Sequence, residues 1–151
     1  MTAVLGDIEI AACDAARDGE LIRSLTRANF YEAMKASWDE ARHQREPSQP
    51  GRYRMLRRDG EIIGFFALRD EADALYVQTI QLVSSARCQG IGRRVMDHIA
   101  ELAGETGRLA IRLRVLRSNA AARRFYDRLG YRVIAEEEAS SLLELAIATG
   151  G

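Results

Sequence analysis

The middle of the chain combines a strand-like apolar run, 75-LYVQTIQLV-83, with a glycine loop, 87-RCQGIG-92, that leads into a helical pattern. In that pattern, apolar residues recur at intervals of four, four and three, which places them on one helix face: Ile91, Val95, Ile99 and Leu102. The run 108-RLAIRLRVL-116 then alternates arginines with apolar residues, which predicts a strand with four residues pointing inward: Leu109, Ile111, Leu113 and Val115. A strand, a helix and a second strand in this order predict a right-handed parallel crossover, and therefore an α/β fold.

The first fifty residues predict one strand and two helical pieces. The segment 8-IEIAA-12 suits a first edge strand, and the stretch 15–46 contains helix-forming residues without proline. Its apolar spacing gives one piece with Leu21, Ile22, Leu25 and Phe30, and a second with Tyr31, Met34 and Trp38. The breakers 47-PSQPG-51 predict a loop after them.

Turn and cap signals locate the remaining elements. Asp59-Gly60 predicts a tight hairpin turn between strands 52–58 and 61–70. Asn119 can cap a helix that Gly130 ends. That helix and two last strands cover 120–130, 131–137 and 140–147. The order of elements predicts a single domain over 1–151, with a mixed sheet and helices on both of its faces.

The strand at 75–83 contains a break in its alternation. Leu75 and Val77 have one parity, whereas Ile80 and Leu82 have the other. An extra residue within 78–81 would restore one apolar face, and a β-bulge supplies such a residue.

Charge and cysteine content limit the classes of function. The 151 residues include 22 basic and 22 acidic side chains, so the net charge is zero. No overall attraction to nucleic acid or to an anionic membrane follows, and anion recognition must be local. Two separated cysteines, Cys13 and Cys88, favour a reducing, cytoplasmic setting over a disulfide scaffold or a zinc site. Nucleic-acid binding by exposed arginines is disfavoured for the same reason of charge balance: Arg112, Arg114, Arg117, Arg123 and Arg124.

The glycine loop has the composition of an anion site. Gly90 and Gly92 let the backbone turn and approach a ligand, so that successive N–H groups can point into one concavity at the helix start. Such a concavity binds phosphate. The alternative is a tight turn with solvated arginines. Arg93-Arg94 after Gly92 exclude a Walker loop, and Val95 excludes a GxGxxG dinucleotide fingerprint.

The loop and the helix after it together resemble the GNAT superfamily of acetyl-CoA-dependent N-acetyltransferases. The family's pyrophosphate motif Q/R-x-x-G-x-G/A is matched by Arg87, Gly90 and Gly92. Its helix motif N-x-x-A-x-x-x-Y-x-x-x-G-[FY] is matched by Asn119, Ala122, Tyr126, Gly130 and Tyr131. The resemblance covers roughly residues 52 to 147 well, and residues 1 to 50 only in their layout of elements.

The resemblance implies acetyl-CoA as cosubstrate and direct acetyl transfer to a primary amine without a metal ion. In the family, a bulge in the fourth strand splays it from the fifth. Acetyl-pantetheine lies in the gap, held by backbone groups of which one N–H contacts the thioester oxygen. Coenzyme contacts are thereby assigned to Leu82, Val83, Arg87, Cys88, Gln89, Gly90, Ile91, Gly92, Arg93, Asn119 and Tyr126. Cys88 departs from the pattern, because the family usually has glycine there.

Catalytic and acceptor-binding residues also follow from the resemblance. Tyr126 matches the general acid that protonates or stabilises the leaving thiolate, although packing on the sheet would also explain it. The acceptor would lie beside Tyr31, Trp38, Asp39 and Gln78. The base is open: a water relay, or an acid from the first half of the chain, such as Glu32, Asp39 or Glu40. Gln78 and Gln81 stand where some relatives carry glutamate, and glutamine is no proton acceptor.

Two functions therefore remain at the level of the sequence. One is an N-acetyltransferase acting on a small-molecule or peptide amine, with a homodimer as one possible assembly. The other is a domain of the same fold that binds CoA for sensing or interaction, without turnover.

Overall fold

The strands form one mixed sheet in the order β1-β2-β3-β4-β5-β6-β8-β7, in a computed structural model that describes residues 3–34, 52–137 and 142–149. The strands are β1 Ala3–Leu5, β2 Ile8–Ala12, β3 Tyr53–Arg58, β4 Glu61–Asp70, β5 Ala74–Leu82, β6 Ala110–Leu116, β7 Arg132–Glu137 and β8 Leu142–Ala148. The helices of the described ranges are α1 Ala15–Met34, α2 Ile91–Glu105 and α3 Ala120–Arg128, with a short 3-10 helix at Ser84–Ala86. β5 and β6 pair in parallel, which confirms the α/β class and the parallel strand-helix-strand unit.

The described residues fall into two compact units. The first lies within Met1–Ala67 and Thr79–Gly92, and the second within Leu68–Gln78 and Arg93–Gly151. A single domain over 1–151 stays a prediction. None of the described helices is long and apolar enough to cross a membrane.

The first unit is built on antiparallel strands with α1 packed on them. Ile22 of α1 is buried in a cluster with Met55 and Phe65, because its helix face is the apolar one. The hairpin prediction is confirmed, since Asp59 and Gly60 connect β3 to β4 with φ values of 53° and 78°. Two positive φ angles in succession give the turn the twist that antiparallel strands need.

Two predictions for the first fifty residues were wrong. The strand at 8–12 is not an edge strand, because β1 pairs with it on one side and β3 on the other. Gly6, with φ of 63°, forms the turn that makes the short strand β1 possible. The break between helical pieces after Phe30 is also wrong, because α1 continues through Tyr31 to Met34. Trp38 and the loop at 47–51 lie outside the described residues.

The second unit has buried residues on β6, β8, α2 and α3. Ile111, Leu113 and Leu143 are buried, as are Val95 and Ile99 of α2, in agreement with the predicted strand and helix faces. Leu109 is 68% exposed and does not point inward. β6 begins one residue after it, so Leu109 lies outside the alternating segment.

The buried face of α2 differs from the predicted stripe at its end. Gly104 lies inside α2, which continues to Glu105, and Gly107 follows the helix with φ of 72°. The buried stripe ends on Ala103 rather than on Leu102, which is half-buried.

Candidate active site

The glycine loop has the backbone conformation of an anion site. Cys88 and Gly90 have φ angles of 60° and 76°, so left-handed residues alternate with their neighbours just before α2 begins at Ile91. Such an alternation turns successive N–H groups toward one concave surface. The first N–H groups of a helix have no intrahelical acceptor, and they add to this surface. A Cβ at Gly90 would meet no protein atom within 4 Å, so the space beside it is open to a ligand.

The side chains of this loop are held by protein groups. Arg87 donates from Nη2 to Asn29 Oδ1 of α1, and its backbone N–H donates to Ser84 O at 3.2 Å. Gln89 donates from Nε2 to Ser85 O at 2.8 Å and accepts from Arg58 Nη1 at 2.9 Å. These hydrogen bonds hold the loop in one conformation. The side chains of Arg87 and Gln89 thus contact protein groups. The backbone N–H groups after Arg87 are the donors proposed for the phosphate-binding role that the sequence assigns to the loop.

The end of β5 is held from two directions. Val83 N–H donates to Ile63 O of β4 at 2.9 Å, and Leu82 O accepts from Asn29 Nδ2 at 3.1 Å. Val83 N–H therefore faces β4, and the coenzyme contact predicted for Val83 would have to come from another of its backbone groups. Because residues of a strand alternate between its two edges, Leu82 N–H lies on the edge away from β4.

The parallel ladder of β5 covers only the first part of the strand. The register of β5 with β6 runs from Ala74–Ala110 to Val77–Leu113, whereas β5 itself continues to Leu82. The ladder thus ends at the residue before 78–81, where the sequence predicts a bulge. That bulge stays a prediction. The strand is also the fifth and not the fourth, because β1 precedes the strands that the sequence indicated.

A glycine in β4 permits close approach of β5. Leu56 pairs with Gly64 and Arg57 with Ile62, so Ile63 is an extra residue that makes a bulge in β4. A Cβ on Gly64 would lie 2.8 Å from Leu82 Cδ2 and still closer to Gln81 O. Only glycine fits there while the end of β5 keeps this position.

Tyr126 lies in the second unit, in the helix that Asn119 begins. Asn119 Oδ1 accepts from Ala122 N–H at 3.2 Å, which confirms the predicted cap. Tyr126 is 6% exposed, and the rings of Phe125 and Tyr131 meet it edge-on at centroid distances of 5.0 and 5.4 Å. Burial raises the pKa of the Tyr126 phenol, because the charged phenolate would lose its hydration. A tyrosine phenol is already protonated at neutral pH at its ordinary pKa of about 10, and burial keeps the Tyr126 phenol in that form.

Comparison with known families identifies this arrangement. The model of the Acetyltransferase (GNAT) family matches residues 19–131, which include the glycine loop and the Asn119–Tyr126 helix. The chain belongs to the GNAT family.

Two curated proteins similar to this GNAT chain are acetyltransferases by name. The 5-NmdU N-acetyltransferase of Pseudomonas phage PaMx11 is 34% identical over 80 residues, which are 52% of this chain and 55% of the relative. The streptothricin acetyltransferase of Streptomyces lavendulae is 36% identical over 75 residues, which are 48% of this chain and 40% of the relative. The chain thus spans about half the length of the curated relatives that it matches.

Solved structures share the GNAT fold over nearly the whole chain. The PaiA N-acetyltransferase from Thermoplasma acidophilum, in complex with coenzyme A, has a TM-score of 0.76 and 18% identity, and covers 95% of this chain and 99% of its own. At this identity the likeness establishes the fold. It agrees with the α/β class that the sequence predicts.

The acceptor residues proposed for this GNAT chain are placed only in part. Gln78 is exposed in β5. Tyr31 and Glu32 belong to α1, but their side chains are not described, and Trp38, Asp39 and Glu40 lie outside the described residues. Gln81 makes hydrogen bonds to Asn29 and to Thr79 Oγ1.

Sequence reasoning missed Asn29 and Gly64. Asn29 had a detectable signal, because it lies four residues after Leu25 and so falls on the apolar stripe of α1. A polar residue on such a stripe needs a partner. Gly64 had a weaker one, since an isolated glycine in a strand marks a bulge or a close backbone approach.

Proposed function

We propose that this protein is an acetyl-CoA-dependent N-acetyltransferase that moves the acetyl group directly to a primary amine. Membership of the GNAT family supports the reaction class, and the backbone of the glycine loop carries the proposal for this chain. Left-handed residues at Cys88 and Gly90, with open space beside Gly90 at the start of α2, suit a pyrophosphate.

In this proposal the coenzyme is bound mainly by backbone groups. The N–H groups from Cys88 to Arg93 bind the pyrophosphate, while Arg87 and Gln89 hold the loop in shape through their contacts to protein groups. Pantetheine lies along the end of β5, where Leu82 N–H donates a hydrogen bond to the thioester oxygen. Asn119, already the cap of α3, also contacts the coenzyme by analogy with the family motif.

The chemical step needs one group to receive the negative charge of the carbonyl and another to supply a proton. The neutral amine attacks the carbonyl carbon of the thioester, and a C–N bond replaces the C–S bond. The amine gives one proton to the base, which is a water relay or an acid from the first half of the chain such as Glu32, Asp39 or Glu40. The departing CoA thiolate gains one proton from Tyr126, which solvent then reprotonates. Leu82 N–H polarises the carbonyl by a hydrogen bond to its oxygen, and the Tyr126 phenol donates its proton to the departing thiolate. The Tyr126 phenol carries this proton at neutral pH.

The acceptor in this proposal is a small-molecule or peptide amine. The names of the two relatives carry different compounds, 5-NmdU and streptothricin, so they do not point to one acceptor. Tyr31, Trp38, Asp39 and Gln78 remain the proposed acceptor residues. A cytoplasmic location and a homodimer remain predictions.

Calorimetric titration with CoA tests the binding half of the proposal. Gly92→Glu places a side chain and a negative charge at the proposed pyrophosphate site, so we expect CoA affinity to fall by at least about 100-fold. Gly104→Glu is the matched control, because it adds the same group to α2 at an exposed position where a Cβ meets no atom within 4 Å. Unchanged CoA affinity in a folded Gly92→Glu protein would remove the coenzyme assignment.

A further inference from the structure

We propose that Asn29 of α1 is a positioning residue that aligns the end of β5 and the glycine loop for acetyl-CoA. The inference rests on the proposed function, because it concerns the same coenzyme site. Asn29 lies in α1, outside the glycine-loop motif that begins at Arg87 and the helix motif that begins at Asn119.

The carboxamide of Asn29 connects three parts of the first unit. Its Nδ2 donates to Gln81 Oε1 at 2.9 Å and to Leu82 O at 3.1 Å. Its Oδ1 accepts from Arg87 Nη2. One amide offers two N–H donors and one acceptor oxygen, so both donors and the oxygen are in use. A single side chain thus ties α1 to β5 and to the loop.

The contact to Leu82 O completes a clamp on one peptide unit. The Leu82–Val83 peptide has its N–H held by Ile63 O and its C=O held by Asn29 Nδ2. Because the peptide is planar, fixing both ends fixes its orientation. Leu82 N–H belongs to the preceding peptide and lies on the same strand edge as Leu82 C=O. Holding that C=O in place therefore limits the orientation of the adjoining donor that we assign to the thioester oxygen.

The contact to Arg87 acts on the other half of the coenzyme. Arg87 opens the loop whose N–H groups are proposed to bind the pyrophosphate, and its guanidinium makes a charge-assisted hydrogen bond to the Asn29 oxygen. These bonds are partly buried, where the lower dielectric strengthens them. Asn29 therefore has two separable arms, an acceptor arm toward Arg87 and a donor arm toward Leu82 and Gln81.

Two substitutions separate these arms. Asn29→Asp keeps an oxygen for Arg87 but loses the N–H donors, whereas Asn29→Ala loses both arms. We expect Asn29→Asp to keep CoA affinity within about threefold of wild type while kcat falls about 10-fold or more, because only the thioester donor is misaligned. We expect Asn29→Ala to lower kcat similarly and also to weaken CoA binding about 10-fold.

The measurements are CoA affinity by calorimetry and kcat by release of free CoA thiol, with circular dichroism melts for every variant. Ser24→Ala, at an exposed position of the same helix, is the control and is expected to match wild type in both. Should Asn29→Ala fail to fold, Asn29→Asp carries the test, since its predicted split between kcat and affinity does not arise from a general loss of stability.

The outcomes distinguish this inference from the proposed function. If wild-type protein binds CoA and acetylates an amine, but the folded Asn29 variants match it in kcat and affinity, the positioning role is overturned and the function stands. If both variants lose only thermal stability, Asn29 is a structural tie and the inference is likewise overturned. If wild type neither binds CoA nor turns over, the proposed function is overturned, and this inference with it.

Discussion

Residue 88 has a backbone conformation that favours glycine, although the residue is a cysteine. Its φ of 60° lies in the left-handed region, where a Cβ costs about 1–2 kcal/mol. The departure from the family pattern is thereby given a physical meaning: the fold imposes the conformation for which the family usually uses glycine. Cys88 is exposed, so its side chain gains little packing in return.

Substitutions at Cys88 should change stability in an order set by the backbone. We expect Cys88→Gly to raise the free energy of unfolding by up to about 1 kcal/mol, because relief of the strained φ exceeds the entropy that glycine loses on folding. Cys88→Ala should be close to wild type, and β-branched Cys88→Val should be the least stable. Urea denaturation measures the series. A Val variant as stable as the Gly variant would show that the conformation is not left-handed.

Substitution of Tyr126 by phenylalanine tests catalysis separately from coenzyme binding. Tyr126→Phe keeps the ring contacts to Phe125 and Tyr131 and removes only the hydroxyl. A general acid contributes about 10² to 10⁴ in rate, so we expect kcat to fall within that range with CoA affinity nearly unchanged. Steady-state kinetics and CoA calorimetry on the same preparation check the split. Wild-type turnover would show that the thiolate is protonated by another group.

At the scale of elements, the close approach of β5 to β4 depends on one glycine. Gly64 adjoins the bulge at Ile63 and leaves no room for a Cβ beneath Gln81 and Leu82. The same two residues of β5 receive the donor bonds of Asn29. A change in β4 should therefore reach the proposed thioester site through the backbone of β5.

Gly64→Ala should shift the end of β5 and lower both stability and CoA affinity. Overpacking of this kind costs about 1–3 kcal/mol, and the shift should weaken the contacts of Leu82. Gly19→Ala is the opposite case, because its Cβ meets no atom within 4 Å in the interior of α1. We expect that control to stabilise the protein by about 0.5–1 kcal/mol without altering CoA binding. Thermal melts and CoA calorimetry are measured on both variants. Equal melting temperatures and CoA affinities for Gly64→Ala and Gly19→Ala would contradict the crowding at Gly64.

The elements that local chemistry determines could be predicted from sequence. Asp59-Gly60 gave the hairpin and Asn119 gave the helix cap, since each signal acts over a few residues. β1 was missed because three residues are too few to show an alternation. Leu109 was misplaced because its exposure depends on where β6 begins, and alternation alone does not mark that boundary.

Sequence likewise predicted one part of the candidate site and missed another. The glycine loop and Tyr126 lie in motifs with fixed spacing, so sequence was sufficient to propose them. The Asn29 network joins residues 52 to 58 positions apart, and Gly64 acts through the approach of another strand. Contacts at such separations depend on tertiary packing, which periodicity along the chain does not contain. The same is true of Val83, whose N–H is taken by Ile63.

For the whole molecule, charge and family membership lead to one expectation. The 22 basic and 22 acidic side chains cancel, so attraction of an anionic coenzyme has to come from local groups such as the N–H groups of the loop. GNAT membership adds the reaction class. Acetyl transfer to an amine is thus the central claim.

The most direct test is acetyl-CoA consumption against a panel of amines, with the acetylated product identified by mass spectrometry. The panel should include polyamines, amino acids, aminoglycosides, peptide N-termini and lysine side chains. Wild-type protein is predicted to acetylate at least one primary amine, while folded Gly92→Glu is inactive and Gly104→Glu retains activity at the same acetyl-CoA concentration. Tight CoA binding by the wild type without transfer to any amine would contradict the account and favour a CoA-binding domain that does not turn over.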